Sequence, residues 1–379
     1  MPKMYFDYAS TTPTDPEVIK VMDPYLWEKF GNPSSPHGFG REAKKALEDA
    51  REVLAKFIGA KSEEIVFTSG GTESNNSAVL GVAQSLKPKG NHIIVSPIDH
   101  HSVLKPIEFL EKDGFRVTYA GVDKDGVVDV KDLQKSITDQ TILIAMIHAS
   151  NEIGTIQPIA QIGALAKANG ISFLVDAVQT IGHLPVKVDE LKVDLLSLSG
   201  HKFYGPKGIG ALYIRKGTKV TRYLMGGDQE QSRRASTQNV PGAVGLAKAI
   251  ELCQKNMNDE IQKQSQWRNK IIKTVNDRVP NSRLNGHPTN RLPNNVHFSF
   301  DKVQGEALLM SLDIAGIAAS MGSACTSGAM EPSHVLRAIG LSDELAFGSL
   351  RVSLGRWTTD EQVDYFLEQL PKSVEKLRI

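Results

Sequence analysis

The sequence predicts an α/β protein, a large domain on a mainly parallel sheet covered on both faces, joined to a smaller α+β domain. Three observations carry that expectation. Seven short runs rich in Val, Ile and Leu ("EIVFT", "HIIVS", "RVTYA", "TILIAMI", "SFLVDA", "DLLSLS", "GALYIR") alternate with helical patterns such as "VLKPIEFLEKDG" and "IAQIGALAKANG". The chain has 379 residues, beyond the ~250–300 at which a single core stops growing. Near residue 259 the character changes: a long polar helix, "DEIQKQSQWRNKIIKTVNDRV", precedes "NVHFSF", "EALLMSLDIAG", "LRVSLGR" and a final amphipathic helix. The expected division is residues 16–258 for the large domain and 1–15 plus 259–379 for the small one.

The first clear helix is "REAKKALEDAREVLAKFIG", in which Ala43, Ala46, Leu47, Ala50, Val53, Leu54 and Phe57 recur at helical spacing. Gly59 stops it. The seven apolar runs follow, expected as the strands of one sheet. In such a sheet ligands gather beyond the carboxyl ends of the strands, so the residues just after each run are the ones to examine.

Composition narrows the function. With 44 Lys and Arg against 43 Asp and Glu, the chain lacks the broad basic field of a nucleic-acid binder. Two cysteines, Cys253 and Cys325, make no disulfide framework and no paired zinc motif, which fits a reducing, cytoplasmic setting. No run approaches the ~18 apolar residues of a membrane span, and "MPKMYFDYAS" has no signal-peptide core. A small-molecule substrate is the expectation.

After "EIVFT" comes "SGGTESNN", a glycine turn entering a helix, whose exposed N–H groups suit a phosphate; alone such a stretch is more often just a turn and cap. It is not a P-loop, and "GPKGIG" is no dinucleotide fingerprint. "SFLVDA" ends in Asp176, with Gln179 three residues on. "DLLSLSGHKFYGPKG" delivers Ser199, His201 and Lys202 directly after a strand, where a lysine is a candidate for Schiff-base chemistry. "SPIDHHSVL" adds His100 and His101, without the ligand count or spacing of a zinc site. Phosphate turn, strand-end Asp, strand-end Lys and aromatic His together describe pyridoxal phosphate.

From "YFDYASTTP" to "LRVSLGRWTTDEQVDYF" the chain resembles the NifS/IscS-type cysteine desulfurases of the class V aminotransferase group. The resemblance implies a fold type I pyridoxal-phosphate enzyme with a mainly parallel seven-stranded sheet. It also implies a homodimer that takes sulfur from L-cysteine and leaves L-alanine. Lys202 of "SGHKFYGPKG" becomes the cofactor lysine, with Ser199 and His201 on the phosphate. Gly71 and Thr72 of "SGGTES" join them, and His100 of "DHHSVL" stacks on the ring. Asn151 of "SNEIGTIQPI" is implied near the phenolic oxygen or the substrate, Asp176 at the pyridine nitrogen and Gln179 at the phenolic oxygen. Thr237 of "RRASTQNV" is implied to reach the neighbouring subunit's phosphate, and Arg356 of "SLGR" to bind the substrate carboxylate. Cys325 of "SMGSACTSGA" becomes the sulfur acceptor that carries a persulfide, its small-residue loop suited to travel, and His100 its nearest proton acceptor. Cys253, in the helical "AIELCQKN", reads as a small buried filler.

The downstream partner implied is a sulfur-acceptor protein, an iron–sulfur scaffold or a tRNA-thiolation enzyme; transient cluster ligation by Cys325 stays open. Three positions depart from the family pattern: Asp99 replaces a Glu, Ser150 an Asn, and Ser236 the Gly before the phosphate threonine. The chain ends at "VEKLRI", without the longer tail by which some members dock a scaffold. A selenocysteine lyase, another pyridoxal-phosphate β-lyase and a catalytically idle scaffold relative are the alternative readings.

Overall fold

The computed structural model describes residues 4–322 and 331–378. Strand β1 (Met4–Tyr5) lies apart from the main sheet, which is built from β2 (Ile65–Thr68), β3 (His92–Val95), β4 (Arg116–Tyr119), β5 (Thr141–Ile147), β6 (Ser172–Asp176), β7 (Leu195–Ser199) and β8 (Gly210–Ile214). These are the seven apolar runs of the sequence, in the order β2-β8-β7-β6-β5-β3-β4. All neighbours pair in parallel except those of β8, which runs antiparallel to both β2 and β7.

Because both faces of the sheet are covered, the strands are apolar on both sides. On β5, Ile144 and Met146 enter one hydrophobic cluster while Leu143 and Ala145 enter the other. The helices Gly71–Leu86 and His101–Lys112 cover the second face through Val79, Val82, Leu104 and Ile107. The first face is covered by Gly38–Ile58, Ile159–Ala168 and the start of a long helix. The Gly38–Ile58 helix starts three residues before its predicted span because His37 caps it, accepting the Gly40 amide on its side chain, and Gly59 closes it at φ 75°.

A second sheet holds β9 (Ser282–Leu284), β10 (Asn295–Phe300) and β12 (Ser349–Ser353) in the antiparallel order β12-β10-β9, while β11 (Ile317–Ala318) pairs in parallel with β1. Met4 and Phe6 thereby join a separate core with Trp267, Phe298, Val352 and Phe366. The helix expected from residue 259 is one continuous 39-residue helix, Val240–Arg278. Asn239 caps it on the Gly242 amide, and Pro241 occupies the first turn. Its first half buries Leu246 and Ile250 in the large core, and its second half buries Trp267, Ile271 and Val275 in the smaller one. The change in composition near residue 259 therefore marks a handover between two cores within a single helix. Among the described residues no helix is long and apolar enough to cross a membrane.

Candidate active site

The carboxyl ends of the parallel strands open into a cavity of about 270 Å³. Two of these strands end on residues that line it. β6 ends in Asp176, buried at 4 % exposure, and β7 ends in Ser199, followed at once by His201 and Lys202. Gly71 and Thr72 line the cavity from the first turn of the 16-residue helix after β2, with the helix N–H dipoles behind them. Gly70 turns the chain there at φ 152°, a region that belongs to glycine. A Cβ on Gly71 would stand 2.7 Å from Val178 Cγ2, so the backbone approach at this helix start is closed to any larger residue.

His100, Asn151 and Gln179 complete the predicted set inside the cavity. The Lys202 ammonium donates to the carbonyls of Ala9 at 2.7 Å and Ser10 at 2.8 Å. Gln179 Nε2 donates to the same Ala9 carbonyl at 3.0 Å. An N-terminal segment that the sequence reading passed over thus forms one wall. His201 shares a 3.0 Å hydrogen bond with Thr11 Oγ1, and burial together with Lys202 and Lys207 pushes its pKa down to about 4. Burial likewise lowers the pKa of His100, with Lys202, His101 and His334 adding to the effect and Asp176 opposing it. Asp99, beside His100, is fully enclosed and neither carboxyl oxygen has a hydrogen-bond partner. Burial and the charge of Asp176 push its pKa well above the ordinary carboxylate range, with the nearby backbone of Ile147 and Ser96 opposing the rise.

Arg356 is not part of the cavity, and the expectation for it is corrected. Its Nε donates to Glu260 and its Nη1 to Asp15, both at 2.6 Å, while its guanidinium lies 4.1 Å from the Tyr204 ring centroid. Nε and Nη1 are thus held by two carboxylates away from the cavity, and Nη2 is buried without a partner. The cavity arginine is Arg351, five residues earlier, on β12. It is 2 % exposed; Nη1 donates to the carbonyls of Asn151 at 2.8 Å and Gly322 at 2.7 Å, and Nη2 to Asp7 Oδ1 at 2.8 Å and Ser10 Oγ at 2.7 Å. Its Nε is buried without a partner. A signal for it was present: Leu350, Val352 and Leu354 fill the core from one face of "SLRVSL", which puts Arg351 on the other.

Asn75, Ser102, Glu152 and His334 also line the cavity without having been singled out. Glu152 is buried and accepts from the Ser333 hydroxyl at 2.5 Å; burial raises its pKa, with Ser333 and Arg351 working against the rise. Thr237 is exposed and outside the cavity of its own chain, next to Ser236 at φ 98°. Cys325 lies outside the described residues; Gly322, the last described residue before it, lines the cavity. Cys253 is buried near the Phe203 carbonyl, and burial pushes its thiol up to about 12, leaving it inert.

The family described as aminotransferase class-V matches residues 4–366. The chain is 56 % identical over 376 residues to "Cysteine desulfurase IscS" of Dictyoglomus turgidum, covering 99 % of this chain and 95 % of that protein. Among solved structures, one titled "NIFS-LIKE PROTEIN" superposes with a TM-score of 0.92 at 37 % identity, over 99 % of this chain and all of the other. Another, titled "SspA in complex with cysteine", does so with a TM-score of 0.84 at 36 % identity, covering 94 % of this chain and 100 % of that one.

Proposed function

The chain belongs to the class-V aminotransferase family, among its cysteine desulfurases, and from that membership we propose that it uses pyridoxal phosphate to convert L-cysteine to L-alanine, passing the sulfur to Cys325. The observation that carries this reading is the convergence of Lys202, Asp176, His100 and an open helix N-terminus at Gly71 on one cavity. These residues fit the cofactor. Gly71, Thr72, Ser199 and His201 would hold the phosphate, Lys202 the aldehyde carbon and Asp176 the pyridine nitrogen. His100 would lie against the ring, with Gln179 and Asn151 near the phenolic oxygen. When bound, the cofactor supplies an electron sink for the substrate carbon.

The chain's own residues supply the rest. Arg351 receives the substrate carboxylate: it lines the cavity, and its buried Nε still has a hydrogen to give. The Lys202 amine takes the proton from the substrate α-carbon. Ala9 and Ser10 hold that amine beforehand, which keeps it directed into the cavity. Cys325 attacks the substrate sulfur as thiolate; the S–S bond forms as the substrate's Cβ–S bond breaks, and the electron pair left on that carbon takes up a proton to give alanine. Thr237, exposed on its own subunit, reaches a second copy's phosphate in a homodimer. A sulfur-acceptor protein of iron–sulfur assembly or tRNA thiolation then removes the persulfide sulfur.

The test is alanine formation from L-cysteine by the cofactor-loaded protein, for wild type and Cys325→Ser. Loss of at least 100-fold in the serine variant is the expected result, on the order of a removed nucleophile. An unchanged rate would make the protein a β-lyase that has no need of the thiol.

A further inference from the structure

The hydrogen bonds around His100 fix which of its ring nitrogens carries the proton. Asp176 as a carboxylate only accepts: Oδ1 takes the Val178 amide at 2.9 Å and Oδ2 takes Asn75 Nδ2 at 2.8 Å. Asn75 must therefore face Asp176 with its nitrogen, and the second hydrogen of that nitrogen goes to Ser102 Oγ at 2.9 Å. A hydroxyl that accepts there still has its own hydrogen to give, and His100 Nδ1 lies 2.8 Å away. A second donor agrees, because the backbone N–H of Ser102 also points at Nδ1, at 3.1 Å. Nδ1 is an acceptor on both counts, so a neutral His100 carries its proton on Nε2. The groups that act on the ring electrostatically are Asp176, Lys202, His101 and His334, and burial outweighs the one that favours its charge.

We propose that Asn75 and Ser102 form a tautomer lock that presents His100 Nε2–H to the cavity as a hydrogen-bond donor to negative charge on the substrate, not as a proton acceptor. The role rests on the reading of the cavity given above; the lock rests on protein atoms alone. A base at Nε2 needs a lone pair there, which would move the ring proton to Nδ1, against the Ser102 N–H and with the Ser102 hydroxyl hydrogen turned away from the ring. A neutral imidazole that donates is a known electrophilic device in enzymes. The expectation that His100 takes the Cys325 proton is thereby replaced. Asn75 and Ser102 are positioning residues, acting only through the histidine.

Long-range ¹H–¹⁵N spectra of protein labelled at histidine nitrogen read the tautomer directly, with His100 assigned by its loss in His100→Gln. Spectra of the cofactor-free and cofactor-loaded protein at pH 7.5 should both show a neutral ring protonated at Nε2. Ser102→Ala should give a several-fold larger Nδ1–H population and about a fivefold loss of turnover, roughly the worth of one hydrogen bond. Ser102→Thr, which keeps the hydroxyl, should restore both, and cofactor absorbance should stay unchanged throughout. An Nδ1–H or doubly protonated ring in the wild type, or an alanine variant with the wild-type spectrum, would overturn the lock. An intact Nε2–H signal in a protein that takes up no cofactor would instead overturn the role assigned to it.

Discussion

Arg351 and Arg356 lie five positions apart and have opposite jobs. Each keeps one buried donor without a partner, but Arg351 lines the cavity, whereas Arg356 lies outside it and is held by Asp15 and Glu260. Arg351→Lys keeps a positive charge but loses the planar fork, so kcat/KM for cysteine should fall about 100-fold, mostly through KM, with cofactor absorbance retained. Arg356→Met should leave KM within about threefold and instead cost about 3–5 kcal/mol of stability, because two mostly buried carboxylates lose their partner. Denaturant midpoints and steady-state kinetics on both variants separate the two roles. If Arg356→Met raised KM and Arg351→Lys did not, the assignment would reverse. Ser236 is the other residue whose identity matters locally. Its φ of 98° is costly for any side chain. Ser236→Gly should stabilise the protein by about 0.5–1 kcal/mol, net of the added chain entropy, read as a higher urea midpoint at unchanged slope.

At the scale of elements, the strand ends did the organising, and that much was readable in advance. Asp176, Ser199, His201 and Lys202 follow directly on apolar runs, so placing the runs places the residues. Three things were not readable. The Ala9–Ser10 wall lies over 190 positions from Lys202 in sequence, and only the packing of the N-terminal segment brings it there. The Asn75–Ser102 relay joins two helices that no local pattern links. Arg356 was expected at the substrate carboxylate only through the family resemblance of "SLGR"; it lies beyond the end of β12 at Ser353, with its backbone N–H on the Tyr204 hydroxyl. The segment before Thr237 shows a related effect: Glu230, Gln231 and Ser232 all have positive φ. The buried Arg51–Glu230 ion pair, at 2.6 Å, and the Phe67 amide on Glu230 tie this strained turn to β2.

For the whole molecule, buried histidines set a pH dependence. Burial pushes His148 and His183 to about 4 and His297 to about 3, against an unfolded value near ~6.5. The unfolded chain therefore binds more protons between those limits, and stability is full above about pH 6.5 and falls as pH drops toward 4. Asp99 and Glu152 work in the opposite sense, since their raised values favour the folded state at low pH and lose that benefit as pH rises. Asp194 and Glu260 are raised too, but the lowered histidines, His201 at about 4 and His100 among them, are more numerous, so urea midpoints should decline from pH 7 to pH 5. His148→Gln, whose amide can still reach Thr180, should flatten the decline. A midpoint independent of pH over that range would mean the histidines are already charged in the folded state. The central claim, that the cavity at the strand ends holds pyridoxal phosphate through Lys202, is tested most directly by borohydride reduction of the cofactor-loaded protein followed by peptide mapping. A single pyridoxyl group should appear on the peptide containing Lys202 and be absent in Lys202→Ala. A pyridoxyl group on another lysine, or on none, would contradict it.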